Sequence, residues 1–178
     1  TIPAAWDGSD VVLHIGAAGS AYTVWVNGRK AGYAQDSKLP SEFDITQHLR
    51  PGDNVIALQV IRFSDGSYLE DQDFWRVSGI ERDVYLTAAP RTRIRDAFVH
   101  AGLDPAYRDG VLAVDLAITE GAAGTARMVL LDGDRVVAQE RIAVPADTAE
   151  RSVTLQAEVP GVRPWSAETP NLYRLVTE

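Results

Sequence analysis

The sequence predicts an all-β protein composed of two β-sandwich units. Apolar residues recur at every second position through most of the chain, which is the period of a half-buried strand. Helical periodicity is nearly absent. Two tight-turn signals, Asn27-Gly28 and Asp132-Gly133-Asp134, each join two β-rich runs. These three observations favour antiparallel sheets over a helical architecture.

The first strands are predicted on either side of a glycine-rich connection. One covers 11–15 and the next covers 22–26, which leads into Asn27-Gly28. A type I′ turn requires positive φ at both central residues, and Asn-Gly accepts that conformation. The run 16–19 (Gly-Ala-Ala-Gly) is predicted to connect strands, because no helical pattern and no phosphate-binding Lys or Ser/Thr accompanies it.

Two further elements complete the prediction for the first half. The stretch 40–53 is predicted to contain a short helical turn, with Ser41 as its cap and Pro51-Gly52 at its end. The run 54–63 is almost continuously apolar, so we predict a central strand that packs on both faces. The sheet resumes at 84–86 after a polar loop.

The pattern changes at 88–91 (Ala-Ala-Pro-Arg), where a proline interrupts the alternation. We therefore predict two domains, 1–89 and 90–178. About six strands fit into the roughly ninety residues of the second domain, which is the spacing of an immunoglobulin-like sandwich. These strands are predicted over 94–103, 112–118, 128–131, 136–144, 153–159 and 172–176.

The composition excludes several classes of function. A net charge of −8 and a pI near 4.8 argue against nucleic acid as a partner, which requires clustered Lys and Arg. Cysteine is absent, so the chain has no disulfide, no thiolate zinc site and no cysteine nucleophile. No signal-peptide pattern and no apolar run of ~18 residues is present. We expect a cytoplasmic protein without a membrane partner.

The functional signal lies in 65–84, where acids, aromatics and arginines are crowded between two predicted strands. Four carboxylates in this segment repel one another unless a cation, an arginine or the hydroxyls of a ligand take up the charge. These carboxylates belong to Asp65, Glu70, Asp71 and Asp73. Two interpretations remain open: a loop that binds a polar ligand, and a solvated acidic loop tied back by Arg76 and Arg82.

The chemistry of this loop favours binding over catalysis. Glycoside hydrolysis uses two carboxylates roughly 5–9.5 Å apart that flank the scissile bond, and residues this close in sequence cannot easily do so. A single carboxylate can instead accept hydrogen bonds from sugar hydroxyls or hold a hard cation. Phe74 and Trp75 would form an apolar wall against a sugar, or one of them would anchor the loop in the core.

The three histidines, His14, His48 and His100, lie far apart in the sequence and on different predicted elements. Each is interpreted as a surface or edge residue. We therefore expect no histidine metal site in this chain.

Four runs carry a family resemblance: 27–29, 32–44, 64–84 and 165–173. Together they closely resemble the large bacterial β-galactosidases of glycoside hydrolase family 2, over essentially the whole chain. The resemblance implies that 1–89 is a sugar-binding jelly roll without its N-terminal strands. It also implies that 90–178 is an immunoglobulin-like β-sandwich without its last strand. The opening 1–6 is not a natural start and 171–178 stops within a strand pattern, so we expect a fragment.

The resemblance implies one site residue. Asp73, the second aspartate of Asp-Gln-Asp, matches the family's aspartate that contacts galactose and a sodium ion (Na+), and we expect Trp75 and Arg76 to hold its loop. The family's general acid, nucleophile and magnesium (Mg2+) ligands lie in a catalytic barrel, which needs ~250 residues. No catalytic residue is therefore expected here, and the fragment alone should be inactive. The family's other N-terminal substrate contact, an asparagine, precedes the region matched here.

The implied parent enzyme hydrolyses terminal β-D-galactosides such as lactose with retention. Its implied partners are that substrate, the barrel of the same polypeptide, and further copies of itself, because exposed sheet edges invite pairing into a homo-oligomer. Two alternatives remain: a free-standing carbohydrate-binding module, and a structural unit of a β-glucuronidase or β-mannosidase. The run 71–75 (Asp-Gln-Asp-Phe-Trp) favours the galactosidase branch.

Overall fold

A computed structural model of the chain describes residues 1–73 and 75–178. It divides into two compact units, Thr1–Pro90 and Arg91–Glu178. Strands dominate both units, and the helical residues that the structure describes amount to one four-residue α-helix and two 3₁₀ turns. The expectation of an all-β fold is confirmed.

Eight strands and one short helix form the first unit, as far as the structure describes it. In chain order they are β1 (Ser9–Ile15), β2 (Ala18–Gly19), β3 (Ala21–Val26), β4 (Arg29–Gln35), β5 (Ser41–Asp44), β6 (Ile56–Ile61), α1 (Gly66–Leu69), β7 (Gly79–Ile80) and β8 (Val84–Pro90). The 3₁₀ turns cover Ala4–Trp6 and Thr46–His48.

The first unit is a sandwich of two antiparallel three-stranded sheets. One sheet has the order β5-β1-β8, the other has the order β4-β3-β6, and β2 and β7 form a separate two-stranded pair. Alternate residues of β1 and β3 meet in one apolar core between the sheets. That core consists of Val11, Leu13, Ile15, Ala18, Tyr22, Val24, Val26 and Ile45.

The predicted Asn27-Gly28 hairpin turn is confirmed. It joins β3 to β4, with φ of 51° at Asn27 and 80° at Gly28, as a type I′ turn requires. The Asn27 side chain also donates a hydrogen bond of 2.9 Å to the His48 carbonyl and accepts one of 3.0 Å from the Val55 amide. The turn residue therefore fixes the neighbouring loop as well as the hairpin.

The predicted helical turn with Ser41 as its cap is wrong in its main part. Ser41 begins β5, which pairs with β1, and the helical geometry is confined to Thr46–His48. Asp44, not Ser41, binds the start of that turn, by accepting hydrogen bonds from the Thr46 amide (2.9 Å) and hydroxyl (2.6 Å). Alternation decides the outcome, because Phe43 turns toward the core while its neighbours Glu42 and Asp44 face solvent.

The predicted central strand over 54–63 is also corrected. The observed strand, β6, is an outer strand of its sheet and pairs with β3. Its burial alternates: Ile56, Leu58 and Val60 pack on the core, whereas Ala57 and Ile61 are exposed. Because residues on the exposed face of β6 are also apolar, its sequence resembles that of a strand buried on both faces.

Six strands form the second unit, in agreement with the sequence prediction. They are β9 (Ile94–Leu103), β10 (Gly110–Ile118), β11 (Gly124–Asp132), β12 (Arg135–Val144), β13 (Arg151–Val159) and β14 (Arg174–Thr177). A turn at Gly133-Asp134, with φ of 60° at Gly133, joins β11 to β12 and confirms the second hairpin.

Two three-stranded sheets, β13-β10-β9 and β12-β11-β14, enclose the core of the second unit. The core draws on both sheets, which confirms a sandwich. Its buried members are Leu112, Val114, Leu116, Ile118, Ala126, Met128, Leu130, Val144, Leu155 and Val159. On β9, Val99 lies beside the fully buried Val114 and yet is 46% exposed. The opposite sheet therefore covers β10 and leaves the inner face of β9 open.

The two units divide after Pro90, where β8 ends. Ala88 and Ala89 belong to β8 and pair with Val11 and Asp10, so the strand continues through the residues at which the sequence pattern changes. Residues 1–73 and 75–178 contain no helix with the length and hydrophobicity needed to cross a bilayer.

Gly32 provides a test of the packing between β4 and β5. A Cβ atom at Gly32 would lie 2.2 Å and 2.3 Å from two ring atoms of Phe43, which itself packs edge-on against the buried Tyr22. We expect Gly32→Ala to lower the free energy of unfolding by about 1–3 kcal/mol, as overpacking does. Urea unfolding of the chain measures this change. Gly102→Ala in β9 is the matched control, because no atom lies within 4 Å of a Cβ there; equal losses for both variants would contradict the packing assignment.

Asp104 provides a test of pH dependence in the turn between β9 and β10. Hydrogen bonds from the backbone amides of Arg108 (2.7 Å) and Asp109 (3.0 Å) hold the pKa of the Asp104 carboxyl below its usual value. A depressed folded-state pKa stabilises the protein above the unfolded-state pKa of about 4, and the contribution disappears as pH falls through the folded-state pKa. We expect the stability difference between wild type and Asp104→Asn to be largest near neutral pH and to shrink in acid. Thermal unfolding at a series of pH values checks this, and a pH-independent difference would refute it.

Candidate functional site

The candidate site is built on the acidic loop, the segment 62–78 that connects β6 to β7. Both ends of the loop are fixed on one short stretch of backbone. At the start, the Ser20 amide donates a 3.0 Å hydrogen bond to the Ile61 carbonyl. At the end, β7 pairs with β2, and the Glu81 amide donates to the Ala17 carbonyl at 3.0 Å. The acidic loop therefore leaves and re-enters the fold at residues 17–20.

Three serine hydroxyls fix the first turn of the acidic loop. Ser20, which is 5% exposed, places its Oγ 2.7 Å from Ser64 Oγ and 3.1 Å from the Arg62 carbonyl. Ser67 donates to the Arg62 carbonyl at 2.9 Å and lies 3.0 Å from Ser20 Oγ. The Ser64 amide in turn donates to Ser67 Oγ at 3.0 Å. This serine cluster (Ser20, Ser64 and Ser67) holds the chain at the point where it enters α1.

Two of the four loop carboxylates bind the end of β4 and the connection that follows it. Asp65 accepts hydrogen bonds from the Gln35 side-chain amide and from the Gly66 backbone amide. Glu70 accepts one of 3.1 Å from the backbone amide of Ser37. Asp65 and Glu70 are therefore internal ties that hold the acidic loop against residues 35–37.

A third carboxylate belongs to an ion pair within the acidic loop. Arg76 Nη2 lies 2.6 Å from Asp71 Oδ1, and both side chains are partly exposed. Arg62 also donates a long hydrogen bond of 3.5 Å to the Arg76 carbonyl. Arg76 therefore joins the two sides of the segment 71–76, as expected from the sequence.

The fourth carboxylate, Asp73, differs from the other three. It is exposed, and it forms no hydrogen bond or ion pair to any residue within 1–73 or 75–178. It lines an open groove of about 680 Å³, which it shares with Arg62 and Ser20. Asp73 therefore leaves its carboxylate open to solvent at the groove.

Basic side chains on the far side of the groove also have internal partners. Lys38 Nζ lies 2.6 Å from Glu81, and Arg82 donates a 3.3 Å hydrogen bond to the Lys38 carbonyl. Arg82 was expected to tie back the acidic carboxylates in the solvated-loop interpretation. Instead it binds the backbone of the β4–β5 connection, although it lines the same groove as Asp73.

Trp75 is 82% exposed in this chain, so it is not anchored by burial within the described residues. Its role in holding the loop stays a prediction for the full-length enzyme. Phe74, the other candidate anchor or sugar wall, lies outside the described residues. Other large apolar side chains of the acidic loop are exposed to a similar degree: Phe63 68%, Tyr68 79%, Leu69 84% and Val77 62%. Concentrated apolar exposure of this kind is typical of a surface that another protein domain covers.

Asp73 fits one part of a sodium site. A hard cation prefers oxygen ligands, and the free Asp73 carboxylate is such a ligand. Within the part of the chain that the structure describes, however, no group of three or more Asp, Glu or His side chains is placed to hold a metal. Most of the ligands of an ion at Asp73 would have to come from backbone oxygens, substrate hydroxyls or another part of the protein.

The three histidines lie on separate elements. His14, on β1, stacks on Tyr85 at 4.4 Å and lies 3.1 Å from Glu42. His100, on β9, lies 2.9 Å from Asp115, and His48 ends the 3₁₀ turn. The structure does not bring any of them to the groove.

The residues that support the acidic loop are not predicted from the sequence. Ser20, Gln35 and Ser37 lie about 30 to 45 positions from their partners, as the contacts to Ser64, Asp65 and Glu70 show. Ordinary polar residues in or beside strands give no local sign of such contacts. The nearest sequence signal is the run of small residues 16–19, which is predicted to be a connection and ends directly before Ser20.

Family comparison agrees with this architecture. Residues 1–90 match the sugar binding domain of glycosyl hydrolases family 2, and residues 92–178 match a second domain of glycosyl hydrolases family 2. The chain therefore belongs to glycosyl hydrolases family 2. The family resemblance inferred from the sequence is confirmed.

Curated relatives of the chain include β-galactosidases. The β-galactosidase of Photobacterium profundum is 45% identical over 166 residues, which cover 88% of this chain and 16% of that protein. The β-galactosidase of Priestia megaterium is 42% identical over 181 residues, which cover 96% of this chain and 17% of that protein. The chain thus spans about one sixth of the length of these relatives.

Solved structures with the same fold include β-glucuronidases. The crystal structure of a Bacteroides uniformis β-glucuronidase matches 99% of this chain and 23% of that chain, with a TM-score of 0.75 at 21% identity. The Bifidobacterium dentium β-glucuronidase, complexed with coumarin-3-O-glucuronide, matches 100% of this chain and 35% of that chain, with a TM-score of 0.74 at 20% identity. At this level of identity the likeness concerns the fold alone.

Proposed function

We propose that this chain forms the N-terminal, non-catalytic part of a retaining β-galactosidase and that its acidic loop presents Asp73 to the galactose of the substrate. One observation carries the proposal. Asp65, Glu70 and Asp71 are bound by Gln35, Ser37 and Arg76, whereas Asp73 has no such partner among the described residues and lines the groove. The β-galactosidase relatives support the choice of galactoside as substrate.

A carboxylate in this position suits recognition of a sugar. Hydrogen bonds from hydroxyls to an ionised acceptor are short and about twice as strong as neutral ones. The ties at Asp65, Glu70 and Asp71 fix the loop before substrate arrives, so little ordering of the backbone remains to be done on binding. A sodium ion at Asp73 would supply positive charge that offsets the desolvation of the carboxylate and orient the sugar oxygens.

The bond-breaking step belongs to another part of the polypeptide in this proposal. Retention requires two carboxyl groups about 5–5.5 Å apart, one as acid and base and one as nucleophile. We assign both, and the magnesium site, to a catalytic barrel that follows this chain in the parent enzyme. The exposed apolar side chains of the acidic loop, Phe63, Trp75 and Val77 among them, are the surface we expect that barrel to cover.

A structural role is the second candidate function. The β-glucuronidases that share this fold show that the same two sandwiches occur in enzymes of other specificity. In that case the exposed apolar side chains would serve only to pack the barrel, and Asp73 would have no part in recognition. A free-standing carbohydrate-binding module is the third candidate.

Asp73→Ala in the full-length parent enzyme separates recognition from packing. We expect kcat/KM for a galactoside to fall by about 100-fold or more, since two charge-assisted hydrogen bonds are together worth that much. Steady-state kinetics over a range of sodium concentrations measures this effect. Asp7→Ala is the matched control, because it removes an exposed carboxylate of the same unit outside the groove. Kinetics like those of the wild type in the Asp73 variant would refute the proposed role.

Calorimetry separates the half-site from a binding module. We expect galactose titrated into the present chain to give no measurable heat, with or without sodium, because the remaining sugar contacts are missing. Saturable binding in the millimolar range or tighter, abolished by Asp73→Ala, would instead establish a free-standing carbohydrate-binding module.

A further inference from the structure

We propose that Ser20 is a positioning residue for Asp73, acting through the serine cluster that fixes the start of the acidic loop. The inference rests on the proposed function, since it concerns how the groove presents its carboxylate. It assigns a role to a buried hydroxyl at the base of the acidic loop, in a residue that lines the same groove as Asp73.

Ser20 lies where both ends of the acidic loop meet. Its backbone amide binds the Ile61 carbonyl at 3.0 Å, directly before the loop. The preceding residue, Gly19, pairs with Gly79 in β7, directly after the loop. The orientation of segment 62–78 therefore depends on the position of residues 19–20.

The Ser20 hydroxyl contacts the hydroxyls of both other members of the serine cluster. It contacts the carbonyls of Ile61 (3.2 Å) and Arg62 (3.1 Å) and the hydroxyls of Ser64 (2.7 Å) and Ser67 (3.0 Å). With the side chain 5% exposed, water cannot replace these bonds freely. An alanine at position 20 would leave the Ser64 hydroxyl with one partner fewer and would free the turn that leads into α1.

Contacts extend from the serine cluster to both sides of Asp73. Ser20 and Ser67 bind the Arg62 carbonyl, and the Arg62 side chain reaches the Arg76 carbonyl at 3.5 Å. Arg76 in turn pairs with Asp71 at 2.6 Å. On the N-terminal side, α1 carries Ser67 and is followed by Glu70, which binds the Ser37 amide. The contacts of Ser20 therefore continue to the residues that flank Asp73.

A matched control lies three residues further along the chain. Thr23, on β3, is a buried residue with an aliphatic hydroxyl, 9% exposed. It does not belong to the serine cluster and does not line the groove. Thr23→Val removes a hydroxyl at nearly constant shape and so reports the cost of altering this part of the fold alone.

The test uses the full-length parent enzyme and a galactoside substrate. We expect Ser20→Ala to lower kcat/KM by roughly tenfold, because small misplacements of a binding group are costly. We also expect it to raise both KM and the sodium concentration needed for half-maximal activity. Thr23→Val should leave all three quantities at the wild-type values. Ser67→Ala removes a less buried hydroxyl of the serine cluster and should change the same three quantities in the same direction, by smaller amounts. This variant replaces Ser20→Ala in the test if Ser20→Ala does not fold.

Combination with Asp73→Ala decides whether Ser20 acts through Asp73. In the Asp73→Ala background we expect Ser20→Ala to have no further effect on kcat/KM. The same tenfold loss in both backgrounds would overturn the proposal, and so would unchanged kinetics in both serine variants. If Asp73→Ala alone resembles the wild type, the proposed function fails. Hydrogen exchange of segment 62–78 then tests the serine cluster by itself: unchanged exchange in both serine variants would overturn its positioning role as well.

Discussion

The attachment of the acidic loop to residues 17–20 is the constraint on which the candidate site depends. Segment 62–78 is long enough to adopt many conformations, and loop closure alone would not select one of them. Pairing of β7 with β2 fixes one end, and the Ser20 hydrogen bonds to Ile61 and Arg62 fix the other. Because both attachments lie on the same stretch of backbone, the core of the first sandwich sets the direction in which the loop projects.

The four carboxylates of the acidic loop differ in their partners, which explains how the loop can be ordered and still keep a carboxylate exposed to solvent. Three acids bind donors from their own unit, which removes much of the repulsion that four neighbouring negative charges would create. The remaining acid stays solvated at the groove. Among the described residues, the loop therefore combines three internally bound carboxylates with one, Asp73, that has no internal partner.

The sequence was most informative where local chemistry decides the structure. Asn27-Gly28 and Gly133-Asp134 are hairpin turns because their backbone needs are satisfied locally. Predictions from the sequence were wrong where pairing with a distant strand decides the structure. Ser41 entered a strand because β1 lies beside it, and 54–63 seemed doubly buried because Ala57 and Ile61 are apolar on an open face. The cluster of acids identified the loop, but only interatomic distances show which acid has no partner among the residues that the structure describes. The role of Asp73 in galactose binding stays a prediction.

The exposure of the pair formed by Asp71 and Arg76 has a consequence for the effect of ionic strength. Both side chains are in contact with solvent, at 46% and 67% exposure, so dissolved salt screens their attraction. The Debye length falls from about 10 Å at 0.1 M to about 3 Å at 1 M, which weakens the clamp across segment 71–76. Under the proposed function, added sodium would also fill a cation site at Asp73. Occupancy of that proposed site and rigidity of segment 71–76 would then respond to electrolyte in opposite directions.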